Sequence, residues 1–208
     1  MIVQVAHRVC GVNMHGLVNC AIQRFVSDAY GPDTWLDVAR EAELDFVGFE
    51  AMLTYDPAIT PRVLDAVANI LRRPRADVME DIGTYLVSHP NTEALRRLLR
   101  FGGVDFVDFL HSLDDLPDRA RWAVADLELP QLELTETAPG EFCLRCDATI
   151  AGFGRVMMGI LRSMADDYGT LAVLEFDGSG AGEERISISL VETDFSEGRT
   201  FQLGVQSA

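Results

Sequence analysis

An α+β fold is predicted by a change of texture along the 208 residues. Up to about residue 126, apolar side chains recur at three- and four-residue steps, the period of a helix packed on one face. From Leu132 onward they alternate with polar residues, the period of a strand. One helical segment, Gly154–Tyr168, interrupts that second half. Helices first and strands afterwards is the order of an α+β domain, not of a βαβ repeat. The expected architecture is a helical N-terminal subdomain followed by a mostly antiparallel sheet with an inserted helix.

The elements follow in order. Residues 1–13 read as an edge strand or an N-terminal extension, so one domain is expected over 14–208. Its helical part covers about 14–126 and its sheet part about 130–208. Leu17, Val18, Ala21, Ile22, Phe25 and Val26 form a helical stripe. Gly31-Pro32 breaks it, and proline is suited to open the next helix, Asp33–Glu43, with Trp35 and Val38 turned inward. Helix Ala58–Leu71 presents Ile59, Val63, Leu64, Val67, Ile70 and Leu71. After a loop at Arg72–Arg75 comes helix Ala76–Ser88, ended by His89-Pro90 because a residue before proline disfavours helical backbone. A short helix, Thr92–Arg100, leads to Gly102-Gly103.

Asp105–Asp118 then reads as one amphipathic helix. Phe106, Phe109, Leu110, Leu113 and Leu116 share a face, Asp105, Asp108, Asp114 and Asp115 mostly take the other, and Pro117 stops or kinks it. A second helical stretch, Asp118–Asp126, carries Trp122. Leu132, Leu134, Phe142 and Leu144 suggest a hairpin around Ala138-Pro139-Gly140. After the inserted helix, Leu171–Phe176, Arg185–Val191 and Thr200–Leu203 are expected strands. The glycine-rich Asp177–Gly182 lacks the pattern and the following helix of a phosphate loop, so it reads as a hairpin connection.

Composition narrows the function. The formal net charge is −16, which disfavours nucleic-acid and anionic-membrane surfaces and suits a basic partner. All 17 basic residues are Arg, which fits either ion pairing or a codon bias of the genome. No apolar run approaches the ~18–20 residues of a membrane span, and the N-terminus lacks the charged start of a secretory signal; a cytoplasmic location is expected. Cys10, Cys20, Cys143 and Cys146 do not make a disulfide framework. Cys143 and Cys146 are three apart on an expected strand, so they face opposite sides. No second CxxC completes a zinc site, and no metal is expected.

The run FLHSLDDLPD, Phe109–Asp118, resembles the proximal helix of the haem-nitric oxide/oxygen binding (H-NOX) family, the gas-sensing domain also found in soluble guanylate cyclase. Met14-His15-Gly16-Leu17-Val18-Asn19 resembles the family's opening. Tyr30–Trp35, YGPDTW, is similar to its Y-G-x-x-x-W signature. Leu53–Pro57 resembles its tyrosine–aspartate turn, and Ile82–Tyr85 its glycine-aromatic element. The resemblance implies a haem between the helical and sheet parts, running from Met14 to about Val191.

The same resemblance marks what has changed. The family's helix pattern ends in the histidine that ligates iron; Phe109, Leu110, Leu113 and Leu116 keep its register, but Pro117 stands at the histidine position and has no donor. The family's Tyr-x-Ser-x-Arg strand holds the haem propionates. Here the matching positions are Cys146, Ala148 and Ile150, the register being set by Pro130, which matches the family's haem-contacting proline, and by Gly152 and Phe153. Arg145 and Thr149 should face the other way. Leu17, Val18, Leu110 and Leu113, with Ile150 and Pro130, are the expected lining of a pocket that is either open or filled. His111 sits about 120° around the helix from Pro117. It and Cys146 are the alternative iron ligands, although Cys146 falls at the propionate edge. His89 reads as a loop residue.

The resemblance implies a non-enzymatic sensory or regulatory domain. Family members sense NO or O2 through haem and control a signalling protein such as a histidine kinase, cyclase or chemotaxis protein. Here no cofactor is expected, and a heme-independent ligand- or partner-binding module is the reading; the alternative is a haem-binding gas sensor with non-standard axial ligation. An enzyme finds no nucleophile, base and orienting group together. Asp114-Asp115 and Asp166-Asp167 read as solvated helix faces.

Overall fold

A computed structural model describes residues 14–124, 126–180 and 182–191. The segments expected at 1–13 and at Thr200–Leu203 lie outside the described residues.

Helices α1 (Gly16–Tyr30), α2 (Pro32–Glu41), α3 (Ile59–Leu71) and α4 (Arg75–Ser88) build the first half. Strands β1 (Met14–His15) and β2 (Thr54–Tyr55) pair antiparallel beside them. His15 starts α1: its Nδ1 accepts the Leu17 N–H at 3.1 Å. This satisfies one of the orphan donors of a helix start. The inward stripes form one core that includes Phe25, Val26, Trp35, Val63, Val67 and Ile82. The Trp35 indole donates to the Val47 carbonyl at 2.7 Å, so its polar edge is satisfied.

A 3-10 turn (Pro90–Thr92) and α5 (Glu93–Arg100) follow. The expected helix Asp105–Asp118 is two helices, α6 (Phe106–His111) and α7 (Leu116–Ala123). Asp105 caps α6 by accepting the Asp108 N–H at 2.9 Å. Pro117 therefore does not end a helix; it sits in the first turn of α7, where no N–H is needed and its fixed φ suits the helix. The ring conflicts only with helical backbone on its N-terminal side. Trp122 on α7 is 88% exposed.

Strands β3 (Leu132–Ala138), β4 (Glu141–Asp147), β5 (Ala172–Gly180) and β6 (Glu183–Leu190) form a sheet in the order β3-β4-β6-β5. Every pairing is antiparallel. The glycine-rich stretch is mostly strand: β5 runs to Gly180, with a register shift between Phe176 and Gly178. Helix α8 (Phe153–Tyr168) lies on the sheet. Phe142, Leu144, Cys146, Ile186 and Ile188 of the sheet share a second core with Met157, Leu161 and Met164 of α8. Buried Glu184 on β6 fixes the start of α8 by accepting the N–H groups of Gly152 (2.7 Å) and Gly154 (2.6 Å). A carboxylate suits the positive end of a helix.

Two of the acidic residues expected on solvated faces hold elements together. Asp114 accepts the Leu134 N–H at 2.7 Å, and Asp167 takes a two-pronged ion pair from Arg96. Asp115 and Asp166 are exposed.

The two halves meet where α4 crosses α8. A Cβ on Gly83 would lie 2.0 Å from the Val156 carbonyl oxygen, and one on Gly159 would lie 2.0 Å from that of Glu80. Only glycine lets the two backbones approach so closely. Alanine is favoured in isolated helices by roughly 1 kcal/mol, but here its methyl would strike a backbone atom. Gly83→Ala or Gly159→Ala should therefore lower stability by about 1–3 kcal/mol, read as a lower urea midpoint with an unchanged slope. A midpoint equal to or above that of the parent protein would show that the helices are not so tightly apposed.

Candidate functional site

An apolar cavity of about 400 Å³ lies between the two cores. Leu17, Val18 and Ala21 of α1 form one wall, and Met79, Ile82 and Leu86 of α4 another. Leu95, Leu98 and Leu99 come from α5. Leu116, Ala120 and Ala123 come from α7, and Phe153, Val156, Met157 and Ile160 from α8. A concave apolar site with a few polar groups at its rim is the usual form of a small-molecule pocket.

The expected lining is met in part. Leu17, Val18 and Ile150 line the cavity. Leu110 and Leu113 are fully buried in the sheet-side core and do not. Helix α6 ends before Leu113, so these residues follow α6 and its exit turn into the core, away from α7's face. Pro130 lines a neighbouring polar chamber. Pro117 is buried but is not part of the lining; Leu116 and Ala120 beside it are. The signal for these was present: Leu116, Ala120, Ala123 and Val124 follow i, i+4, i+7, i+8 spacing once α7 is read as a new helix.

The expected propionate strand is also revised. β4 ends at Asp147, and Ala148–Ile150 form a turn. Residues two apart therefore do not share a face beyond Asp147. Cys146 points into the sheet-side core, Ala148 is half-buried with its N–H donated to the Gly182 carbonyl at 2.9 Å, and only Ile150 reaches the cavity. Arg145 faces the other way as expected, in an ion pair with cross-strand Glu133. Thr149 lines the polar chamber, with its N–H and hydroxyl both donated to Asp147 Oδ1 at 2.9 and 2.7 Å.

Neither alternative iron ligand reaches the cavity. His111 is exposed at the end of α6, edge-on to the Phe142 ring. Cys146 is buried against α8, and burial, with Glu184 and Cys143 adding to it, pushes its thiol pKa up to about 12. Cys143 lies on the opposite, partly exposed face of β4, as the strand period requires. Among the described residues no group of His, Cys, Asp and Glu is arranged to hold a metal ion.

The described lining contains no histidine. Its sulfur groups are Cys20, Met79 and Met157. Cys20 donates to the Phe49 carbonyl at 3.2 Å, and burial raises its pKa against the opposing effect of Arg24. Sequence reasoning did not place Cys20 here, although it stands three residues after Leu17 and so shares that helix face.

At the rim, Tyr85 and Asn91 both donate to Asp28 Oδ2, at 2.6 and 2.9 Å. These bonds hold the Asp28 carboxyl below its ordinary pKa, with His89 and Arg24 adding to the effect. Burial and the Asp28 charge together raise the Tyr85 pKa. The network ties α1 to α4 and the 3-10 turn.

A second chamber, about 510 Å³, adjoins the cavity and shares Thr60, Leu64, Leu129 and Ile150 with it. Its polar lining includes His15, Arg75, Arg121 and Asp147. Nothing in the sequence singled out this set, because its members are scattered over four elements and their connections.

Comparison with known proteins agrees with this layout. The family described as Haem-NO-binding (HNOB) matches residues 15–175. An Fe(II) unliganded H-NOX protein from K. algicida superposes with a TM-score of 0.75 at 16% identity, covering 88% of this chain and 99% of that one. An H-NOX protein from S. oneidensis in the Fe(II)NO ligation state gives 0.68 at 19% identity, covering 86% and 100%. Soluble guanylate cyclase gcy-35 of Caenorhabditis elegans is 24% identical over 156 residues, 73% of this chain. The match covers 22% of that cyclase and 23% of soluble guanylate cyclase 89Da of Drosophila melanogaster, so the chain spans about a quarter of these relatives. Among the described residues no helix is long and apolar enough to cross a membrane.

Two outcomes follow from the geometry. Peptide-level mass spectrometry after brief iodoacetamide treatment at pH 8 should find Cys146 unmodified in the native protein and modified in urea; native labelling of Cys146 would contradict its burial. Asp28 has a folded-state pKa below its unfolded value of about 3.9. Its ionised form therefore stabilises the fold above that value, and the contribution is lost as pH falls through the lowered pKa. Asp28→Asn should be less stable than the parent from pH 5 to 7, with the gap closing below about pH 4. A gap that is constant down to pH 2.5 would show that the charge is not what Tyr85 and Asn91 stabilise.

Proposed function

The chain belongs to the Haem-NO-binding family of sensor domains, and we propose that this member does not take up histidine-ligated haem but senses another ligand in the same cavity. The carrying observation is the cavity wall itself. No histidine is among the described lining residues, and Pro117, at the position the resemblance matches to the axial ligand, has no donor atom and lies beside the lining, not in it. Of the positions that the resemblance matches to the propionate contacts, Cys146 and Ala148 lie away from the cavity, and Ile150, which reaches it, offers no hydrogen bond. The residues present do not fit histidine-ligated haem.

The same observations support a regulatory rather than a catalytic part. The cavity lies between two cores that touch through α4 and α8, and Val156 packs against both cores. A ligand filling it bears on helices from each half. Such a ligand shifts a conformational equilibrium only by its differential affinity for the two arrangements. The domain, taken as 14–208, would hand that shift to a cytoplasmic signalling protein such as a histidine kinase, cyclase or chemotaxis protein. The charge of −16 favours a partner with a basic surface.

Titration with hemin followed by absorption tests the reading. The parent protein should give no sharp, stoichiometric Soret band. Pro117→His alone should not restore one, because position 117 is outside the lining. Ala120→His, which places an imidazole in the cavity, should. A stoichiometric Soret band in the parent protein would overturn the proposal.

A further inference from the structure

We propose that the cavity takes a long-chain amphiphile with an anionic carboxylate head, its alkyl tail among the leucines and its head in the adjoining chamber between Arg75 and Arg121. This rests on the reading that the cavity holds a ligand other than histidine-ligated haem. It adds the chemical class of that ligand.

The site has two compartments, one almost wholly apolar and one in which Arg75, Arg121 and Asp147 stand among apolar residues. The cavity walls are apolar, and Thr60, Leu64, Leu129 and Ile150 border both compartments. A molecule passing this border has one end in hydrocarbon surroundings and the other among charged side chains. At roughly 30 Å³ per water-sized group, the cavity of about 400 Å³ holds on the order of a dozen methylenes. That is the tail of a medium- to long-chain acid.

The charges of the chamber select the head. Arg75 and Arg121 line it from opposite helices, α4 and α7. Arg75 donates to Asp65 at 2.9 Å, and Arg121 lies 3.3 Å from Asp118. Both aspartates are outside the chamber lining, and both ion pairs are solvent-exposed. Exposed pairs of this kind hold little net free energy, so an entering carboxylate can take over the guanidinium donors. Arg75 is also the first residue of α4, whose N-cap, Pro74, makes no side-chain cap. The positive end of the α4 dipole thus lies at the same wall.

Two acidic residues, Glu128 and Asp147, also line the chamber. Asp147 Oδ1 is engaged by the N–H and hydroxyl of Thr149, and Glu128 is exposed at the edge. The two arginines remain the groups able to grip a head by charge-assisted hydrogen bonds.

The test displaces a neutral fluorescent apolar probe, N-phenylnaphthylamine, from the purified, delipidated full chain. Dodecanoate, dodecanol and dodecylamine compete in parallel, in the parent protein and in the Arg75→Gln/Arg121→Gln variant. Dodecanoate should displace the probe at about tenfold lower concentration than dodecanol. The double variant should erase that difference while keeping its response to dodecanol, which also shows that it is folded. Dodecanol or dodecylamine matching dodecanoate in the parent protein overturns the carboxylate assignment and leaves the haem-independent reading standing. That comparison needs no variant. Displacement by none of the three overturns the amphiphile. Stoichiometric hemin binding by the parent protein would instead remove the reading on which the proposal rests.

Discussion

The close crossing of α4 and α8 at Gly83 and Gly159 is the constraint on which the remaining geometry depends. Each half has its own core, and this is where they are pressed together. A missing side chain on each helix trades local helix propensity for backbone proximity. Glu184 fixes the other end of the same arrangement, because its carboxylate holds the start of α8 to β6. Helix α8 is thus pinned to the sheet at its start and to the helical half along its length.

The cavity follows from that pinning. Helices α4 and α8 are in contact at the crossing, and both contribute walls beside it. Helices α1, α5 and α7 close the remaining sides. Helices α1, α4 and α8 cannot move inward to fill the space without disturbing the crossing or the Asp28 network that ties α1 to α4. Protein interiors pack closely where they can. Here the crossing and the Asp28 network fix α1, α4 and α8 in place around the space.

Much of the frame was legible in the sequence because it depends on period. The helices around Phe25, Val63 and Ile82, the β3–β4 hairpin and the inserted helix all follow from the spacing of apolar residues. The site was less legible, for three physical reasons. Pro117 marks a boundary, but periodicity alone does not say whether proline closes one helix or opens the next; the i, i+4 continuation through Leu116 and Ala120 would have decided it. Cys146 sits at the right strand position, but which face of β4 meets α8 depends on the whole sheet. Arg75 and Arg121 are surface-like residues 46 positions apart by subtraction, and only the fold brings them to one chamber.

The character of the wall residues bears on the proposed ligand. A site with no ligand to hold gains by filling its space with large side chains. The space persists, with Ala21, Ala94, Ala120 and Ala123 facing it beside the leucines of α1, α5 and α7. Alanine on a helix costs nothing in propensity, so these residues are cheap to keep, yet each forgoes the burial that a leucine would gain at ~25 cal/mol per Å². Pro117, meanwhile, suits the first turn of α7, and Ala148 and Ile150 stand in the turn after β4. The polar groups that remain are displaced to the chamber side of Ile150. A wall that is apolar, roomy and bordered by guanidinium groups is what the proposed ligand, with its own hydrophobic surface and an anionic head, requires.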